Sequence, residues 1–105
     1  MRITVSHNRK KEQVIQAVDR SFDELFRGIG ILPLEIADEK RNWTGPTLAF
    51  SFTAKMGVLS TPIKGTVAVT DVDVTIDADL GLLERLLGTR AGTAALENKV
   101  KGLLT

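Results

Sequence analysis

The sequence contains no cysteine, and this absence excludes several kinds of chemistry. A chain of 105 residues without cysteine can form no disulfide, no cysteine-ligated zinc site and no iron–sulfur cluster, and it cannot use thiol catalysis. It also has no tyrosine and only one histidine, His7, which leaves few groups that carry protons near neutral pH. No set of nucleophile, base and orienting group can be assembled. We therefore predict a non-enzymatic protein without catalytic residues, cofactor or metal site.

The sequence also lacks an excess of charge of either sign, and it has no long apolar run. Fourteen basic and thirteen acidic side chains leave a net charge of +1, which gives little electrostatic attraction for nucleic acid. The uncharged stretches of the chain, such as Met56 to Ile63, are too short to cross a bilayer. Residues 1–5 alternate polar and apolar side chains instead of forming the apolar run of a secretion signal. These patterns predict a soluble cytoplasmic protein with no nucleic-acid partner and no transmembrane segment.

What the sequence does contain is enough apolar material for one folded domain. Hydrophobic residues make up 43% of the chain and charged residues 26%, close to the average of globular proteins. A length of 105 residues fits one domain of ordinary size. We therefore predict a single domain spanning residues 1–105.

The first half of the chain begins with a strand and a long amphipathic helix. Ile3 and Val5 share one face of a short strand, because side chains two residues apart point the same way. From residue 9 to residue 27, apolar residues recur at spacings of three and four, which predicts a helix; they are Val14, Ile15, Val18, Phe22, Leu25 and Phe26. Gly28 ends this helix. His7, just before it, is predicted to cap or pack instead of binding a ligand.

Four strands are predicted between this helix and residue 79. The first covers residues 34–37 and frays into the polar run 38–42, as a hairpin or a long connection. The second, residues 48–56, has the clearest alternation, with Phe50 and Phe52 on the apolar face and serine, threonine and lysine on the other. Residues 57–62 are predicted to be a turn. Trp43 is placed at a hairpin beside Gly45, where it either packs over the end of the sheet or forms an exposed anchor for a ligand or surface.

The last two strands are predicted to form a hairpin. A two-residue loop at Thr70-Asp71 puts Val69 opposite Val72, so that the apolar side chains of both strands lie on one face. The same register puts Val67 opposite Val74, Gly65 opposite Ile76 and Lys64 opposite Asp77. A row of aspartates then lies on the other face, which we interpret as solvated and not as a cation site; the row is Asp71, Asp73, Asp77 and Asp79.

The C-terminal region is helical in pattern but has two apolar stripes on different faces. One stripe includes Leu83, Leu86 and Leu87, and the other includes Leu96, Val100, Leu103 and Leu104. A single straight helix cannot bury both stripes against one sheet. Either a kink between Gly88 and Gly92 folds both stripes inward, or one stripe meets a partner. Such a partner is more often another subunit than a lipid or polymer surface.

Several short patterns resemble the polyhydroxyalkanoic acid system family, a group of small bacterial proteins. They include His7 ahead of the long helix and Trp43-x-Gly45 followed by Leu48-x-Phe50; the others are Lys64-Gly65-x-Val67 and Val74-x-Ile76 running into Leu80-Gly81. The resemblance covers nearly the whole chain. It implies an association with storage-polyester metabolism and carries no established catalytic residues.

The order of elements predicts an α+β fold: a strand, a long helix, a four-stranded antiparallel meander and a C-terminal helix, in the order β-α-β-β-β-β-α. Both helices are predicted to pack on one face of the sheet. This arrangement is similar to the helix-grip fold, which often encloses an apolar cavity; that similarity concerns the fold alone.

Two functional hypotheses follow from the pattern and the resemblance. The first is a non-enzymatic accessory protein of polyester granules, which acts through apolar surface or protein contact and self-associates or binds the granule surface or granule proteins. The second is a helix-grip-like carrier of a small apolar ligand, fatty-acyl or hydroxyacyl. Candidate contact or ligand-binding residues under both hypotheses are Trp43, Phe50, Phe52, Leu96, Val100 and Leu103.

Overall fold

The computed structural model describes residues 1–27, 35–81 and 89–104 of the chain, with side chains for all of these except residues 26–27 and 89–93. The elements, in chain order, are β1 (Arg2–Ser6), α1 (Lys11–Arg27), β2 (Glu35–Thr44), β3 (Thr47–Met56), β4 (Leu59–Val69), β5 (Asp73–Asp79) and α2 (Thr89–Leu104). The five strands form one antiparallel sheet in the spatial order β1-β5-β4-β3-β2. The predicted α+β class and the order β-α-β-β-β-β-α are confirmed. The helix-grip resemblance stays a prediction.

The alternation of apolar and polar side chains along the strands determines which face of the sheet the helices cover. In β3 the even-numbered side chains are buried, and the odd-numbered ones are exposed or half-buried. Phe22 of α1 lies against this apolar face, with ring centroids 5.0 Å from Phe50 and 6.1 Å from Phe52. Edge-to-face contacts of this kind add to the free energy gained by burying the rings. The core therefore lies between α1 and the middle of the sheet.

Two glycines make the hairpins that flank β3. Gly45 and Gly57 have φ values of +58° and +60°, a conformation that residues with a side chain rarely adopt. Each is the first residue of a two-residue turn, as in type II′ hairpins, whose twist matches that of the strands. The hairpin at Gly45-Pro46 was predicted. The predicted turn over residues 57–62 was too long, because β4 already begins at Leu59.

The polar run after residue 37 is part of β2 and not a frayed connection. β2 pairs with β3 from Glu35 to Thr44, with an irregularity between Ala37 and Lys40. Asp38 lies at this bulge with a φ of 54°, which is unusual for a residue other than glycine. Charged side chains are typical of edge strands, because they discourage pairing with other chains. The run therefore indicated an edge strand, although we predicted that it would fray.

The predicted register of the last hairpin was wrong by two residues. Val69 pairs with Val74 and Val67 with Ile76, while Gly65 pairs with Ala78 and Lys64 with Asp79. The connection is longer because Thr70 closes it: its N–H donates to the carbonyl of Asp73 at 2.8 Å, and its hydroxyl accepts from the Asp73 N–H at 2.9 Å. A shift of two residues keeps every side chain on its predicted face. Val72, which was predicted to be paired, is 65% exposed in the turn.

The second apolar stripe of the C-terminal region is buried within the chain. Leu96 and Val100 are 0% and 1% exposed, and α2 packs against α1 and β1. Two polar contacts hold the helix there, since Arg9 Nε donates to the Leu104 carbonyl and Lys99 Nζ to the Glu24 carbonyl, both at 3.0 Å. This stripe is not left for a partner. The stripe of Leu83, Leu86 and Leu87 lies outside the described residues, and so does the side-chain packing across the predicted kink.

Candidate functional site

Four of the six candidate contact residues lie in the core, so they do not form an accessible surface. Phe50 and Phe52 are 4% and 3% exposed, and their stacked rings lie 6.2 Å apart between the centroids. Leu96 and Val100 are buried on the face of α2 that packs against the core, and Leu103 is half-buried against the same core. The stripe of Leu96 and Val100 faces the chain's own sheet and helix, whereas the stripe of Leu83, Leu86 and Leu87 lies outside the described residues. The structure does not bring these residues together with Trp43 in one exposed patch.

Trp43 packs over the edge of the core, near the end of β2. Its side chain is half-buried, and the indole Nε1 donates a hydrogen bond of 3.0 Å to Asp19 Oδ1 of α1. This hydrogen bond satisfies the polar end of the indole while its apolar part covers the core. Of the two alternatives for Trp43, packing over the sheet is the one that this geometry favours.

A group of charged side chains joins α1 to β2 beside Trp43. Arg41 Nη1 donates to the backbone carbonyl of Asp19 at 2.6 Å and lies 3.3 Å from its Oδ1, while Nε lies 3.0 Å from Glu39 Oε1. The guanidinium also lies over the Phe22 ring, 5.2 Å from its centroid, a favourable cation–π distance. Arg41 thus ties the edge strand to the long helix. Sequence analysis missed this group, because its members are far apart in the chain.

The pKa of Glu39 in this group departs clearly from its ordinary value. Burial raises the pKa of Glu39, and the nearby carboxylates of Asp23 and Asp19 raise it further, against the lowering effect of Arg41. A hydrogen bond with the Asp23 side chain also favours the protonated acid. The charged side chains here form a fixed structural contact between two elements. Among the described residues, no group of three or more potential ligands is placed to hold a metal ion.

His7 is held between two backbone groups. Its Nδ1 accepts a hydrogen bond of 3.1 Å from the Arg9 N–H, so its Nε2 carries the proton and donates to the Thr70 carbonyl at 2.8 Å. The side chain is only 7% exposed. Both ring nitrogens are therefore used to fix the start of α1 against the turn before β5. This is the capping and packing role that the sequence predicted.

The face of the sheet away from the helices is polar. The neighbouring residues Lys40, Ser51, Lys64 and Asp79 follow one another across four strands. They line an open cleft of about 450 Å³, together with Asp38, Thr53, Pro62 and Gly81 on the same face. Two lysines, a serine and an aspartate follow one another here, as on a solvated sheet face. On the opposite, covered face, the rings of Phe22, Phe50 and Phe52 occupy the space between α1 and β3. A helix-grip cavity would lie in this space.

Among the described residues, two large apolar side chains are exposed next to each other at the hairpin between β3 and β4. Val58 is 101% exposed and Leu59 46%. We call residues 57–59 the hairpin tip. The last pair of this hairpin before the turn joins Met56 and Leu59. Pairing between β4 and β5 ends at Lys64, so the end of the hairpin extends beyond β5. The sequence pattern predicted this segment only as part of a turn over residues 57–62, and no local pattern indicated that its apolar side chains would be exposed.

Comparison with known proteins identifies a family. The model of the family described as "putative polyhydroxyalkanoic acid system protein" matches residues 1–104. No curated protein matches the sequence. In the part of the chain that the structure describes, no helix is long and apolar enough to cross a membrane.

Proposed function

Because the chain belongs to the family of polyhydroxyalkanoic acid system proteins, we propose that it is a non-enzymatic accessory protein that contacts storage-polyester granules through its hairpin tip. The observation that carries this proposal is the exposure of two adjacent apolar side chains, Val58 and Leu59, at the end of a hairpin that is paired up to its turn. Large apolar residues exposed side by side often mark a contact with another surface. The proposal includes a cytoplasmic location, at the granule.

The size of the tip is suited to a reversible contact. Burying a valine or leucine side chain completely is worth about 1.5–3 kcal/mol, so two side chains give a modest affinity. Lys55 pairs with Ser60 one rung behind the tip and is exposed. Its charged end favours water, which limits how deeply the hairpin enters an apolar phase. A protein attached in this way can leave the granule without unfolding.

Among the described residues, phenyl rings occupy the inner face of the sheet beneath α1, so the proposed contact uses the outer surface. A carrier would need space for an apolar ligand between the helices and the strands, and there Phe22 is in contact with Phe50 and Phe52. This packing supports the accessory hypothesis over the carrier.

Co-sedimentation with isolated granules tests the proposal. The variant Val58→Ser/Leu59→Ser should bind at least about tenfold more weakly, since 1.4 kcal/mol corresponds to a factor of ten. The control is Val72→Ser, which removes another exposed valine, at the opposite end of β4. Both variants should keep the circular dichroism spectrum of the wild type.

Protein-free polyester particles distinguish the granule surface from granule proteins. Binding of the wild type to bare particles, lost in the tip variant, supports contact with the polymer itself. If the wild type sediments only with native granules, the tip contacts a granule protein and the polymer contact is wrong. Equal binding by both variants in both assays contradicts the proposal.

A further inference from the structure

The two edges of the sheet differ in how well they are protected against another strand. At one edge, β2 has its bulge between Ala37 and Lys40, and charged residues follow one another along it. Both features hinder the addition of a strand. At the other edge, β1 is regular from Arg2 to Ser6, with five consecutive pairs to β5, and has one charged residue. β1 is therefore the edge that can accept a further strand.

The hydrogen bonds between β1 and β5 show which backbone groups of β1 point outward, away from β5. Met1 and Ala78 exchange hydrogen bonds of 2.8 Å in both directions, and the His7 N–H donates to the Val72 carbonyl at 2.8 Å. Because bonded and non-bonded pairs alternate in an antiparallel ladder, Ile3 and Val5 also bond toward β5. The N–H and C=O groups of Arg2, Thr4 and Ser6 then point away from β5.

The described part of α2 leaves room beside this edge. A groove of about 610 Å³ lies between β1 and α2, lined on the strand side by residues 4–8 and on the helix side by Glu97, Lys101 and Leu104. Buried backbone groups without partners are costly, and no backbone hydrogen bond from the described residues reaches these outward groups, which leaves them available to water or to another chain.

We propose that β1 pairs with β1 of a second copy of this chain, in antiparallel orientation, and joins the two sheets into one. The outward residues are arranged symmetrically about Thr4. A two-fold axis at Thr4 pairs Thr4 with Thr4 of the second copy and Arg2 with Ser6 of the second copy. Every outward N–H then meets an outward C=O, as an interface between identical surfaces requires.

Charge supports the same partner. Arg2 is the one charged residue of β1, and the axis places it beside Ser6 of the second copy instead of beside another arginine. In each sheet Ser6 pairs with Asp73, so Asp73 of the second copy lies next across the joined sheet, on the same face as Arg2. One strand separates the two charges, so their backbones lie about 10 Å apart on one face, a distance that the long arginine side chain shortens. This partner goes beyond the granule contact, because it uses β1 and not the hairpin tip.

The experiment measures the mass of the protein by sedimentation equilibrium, in buffer without granules. The decisive variant is Thr4→Pro, because proline removes an outward N–H that the chain's own ladder does not use. Its control is Thr4→Ala, which loses the same hydroxyl contact to Thr75 Oγ1, 3.0 Å long, but keeps the N–H. We expect a dimer for the wild type and for Thr4→Ala, and a monomer for Thr4→Pro.

A second variant covers the case in which Thr4→Pro does not fold. Thr4→Lys places two lysines opposite each other at the two-fold axis, where like charges repel. Its dimer should dissociate at low ionic strength and recover at high salt, because salt screens exposed charges. A monomeric wild type at high protein concentration overturns the proposal, as does a dimer that neither substitution weakens. The granule assay is independent, so failure of one proposal is distinguishable from failure of the other.

Discussion

The two faces of the sheet are made by the same strands and have opposite chemistry. In β3, Phe50 and Phe52 are buried under α1, while their neighbours Ser51 and Thr53 lie on the open, polar face. Folding uses nearly all the large apolar side chains of the strands on one side. What remains for contacts with other molecules is found at the ends and edges of the sheet. The comparison shows that amphipathic patterns identify the core better than they identify a binding surface.

The largest expected effect comes from removing a ring from the covered face. Phe22→Ala should lower the free energy of unfolding by about 3–5 kcal/mol, because it leaves a cavity among buried rings. Phe22 is 0% exposed, and it also supports the guanidinium of Arg41. Urea denaturation measures the loss.

The matched control for this substitution is Thr53→Ala on the open face. It should change the free energy of unfolding by no more than about 0.5 kcal/mol. Similar losses for the two variants would mean that the faces are wrongly assigned.

A smaller effect is expected where the covered face demands glycine. A Cβ on Gly65 would lie 2.9 Å from Phe50 Cζ and 2.8 Å from Ala78 Cα, and would collide with the Asp77 carbonyl. Gly65→Ala should therefore destabilise the fold by about 1–3 kcal/mol, the usual cost of overpacking. Thermal or urea unfolding gives the value.

Gly102 provides the opposite case in α2. Nothing lies within 4 Å of a Cβ added there, so Gly102→Ala should stabilise the helix by up to about 1 kcal/mol.

The contradicting outcome concerns Gly65. If Gly65→Ala is as stable as the wild type, the close contact between β4, β5 and Phe50 is incorrect.

The charged contact at the edge of the covered face should make stability depend on pH. The pKa of Glu39 is raised in the folded protein from its ordinary value of 4.5. Above pH 4.5 the unfolded chain loses this proton first, so the free energy of unfolding falls as the pH rises through the folded pKa, and then levels off. Glu39→Gln, which cannot ionise, should remove this decrease.

Unfolding curves recorded at a series of pH values through Trp43 fluorescence measure the effect. Lys40→Gln is the control, because it changes the charge of the neighbouring residue and keeps the carboxyl of Glu39. The prediction is wrong if Glu39→Gln and the wild type lose stability in parallel over this range.

The smallest effect concerns Trp43. The hydrogen bond from its indole Nε1 to Asp19 and its packing against the core should keep iodide quenching weaker than for free tryptophan. Asp19→Ala should increase quenching, since the indole loses its polar partner on α1, whereas Asp71→Ala, in a distant turn, should leave it unchanged. Full quenching in the wild type would show that Trp43 is an exposed anchor instead.

The alternation of apolar and polar residues was sufficient to predict the two faces of the sheet. The recurrence of apolar residues every three or four positions was sufficient to predict α1. The register at Val69 could not be predicted in the same way, because a shift of two residues preserves both faces and only the Thr70 turn decides between the alternatives. The stripe at Leu96 and Val100 was identified correctly as apolar, but its partner depends on where α2 packs. Arg41 and Asp19 meet only through the tertiary fold, so no local pattern pointed to their contact.

The most direct test of the account follows from the absence of cysteine. A single cysteine carrying an environment-sensitive dye can be placed at Val58 on the hairpin tip, or at Val72 in the turn at the other end of β4, without a competing thiol. On addition of polyester granules, the emission of the dye at Val58→Cys should shift to shorter wavelength while that at Val72→Cys stays the same. A shift at position 72 alone, or at neither position, would contradict the claim that the exposed hairpin tip makes the contact.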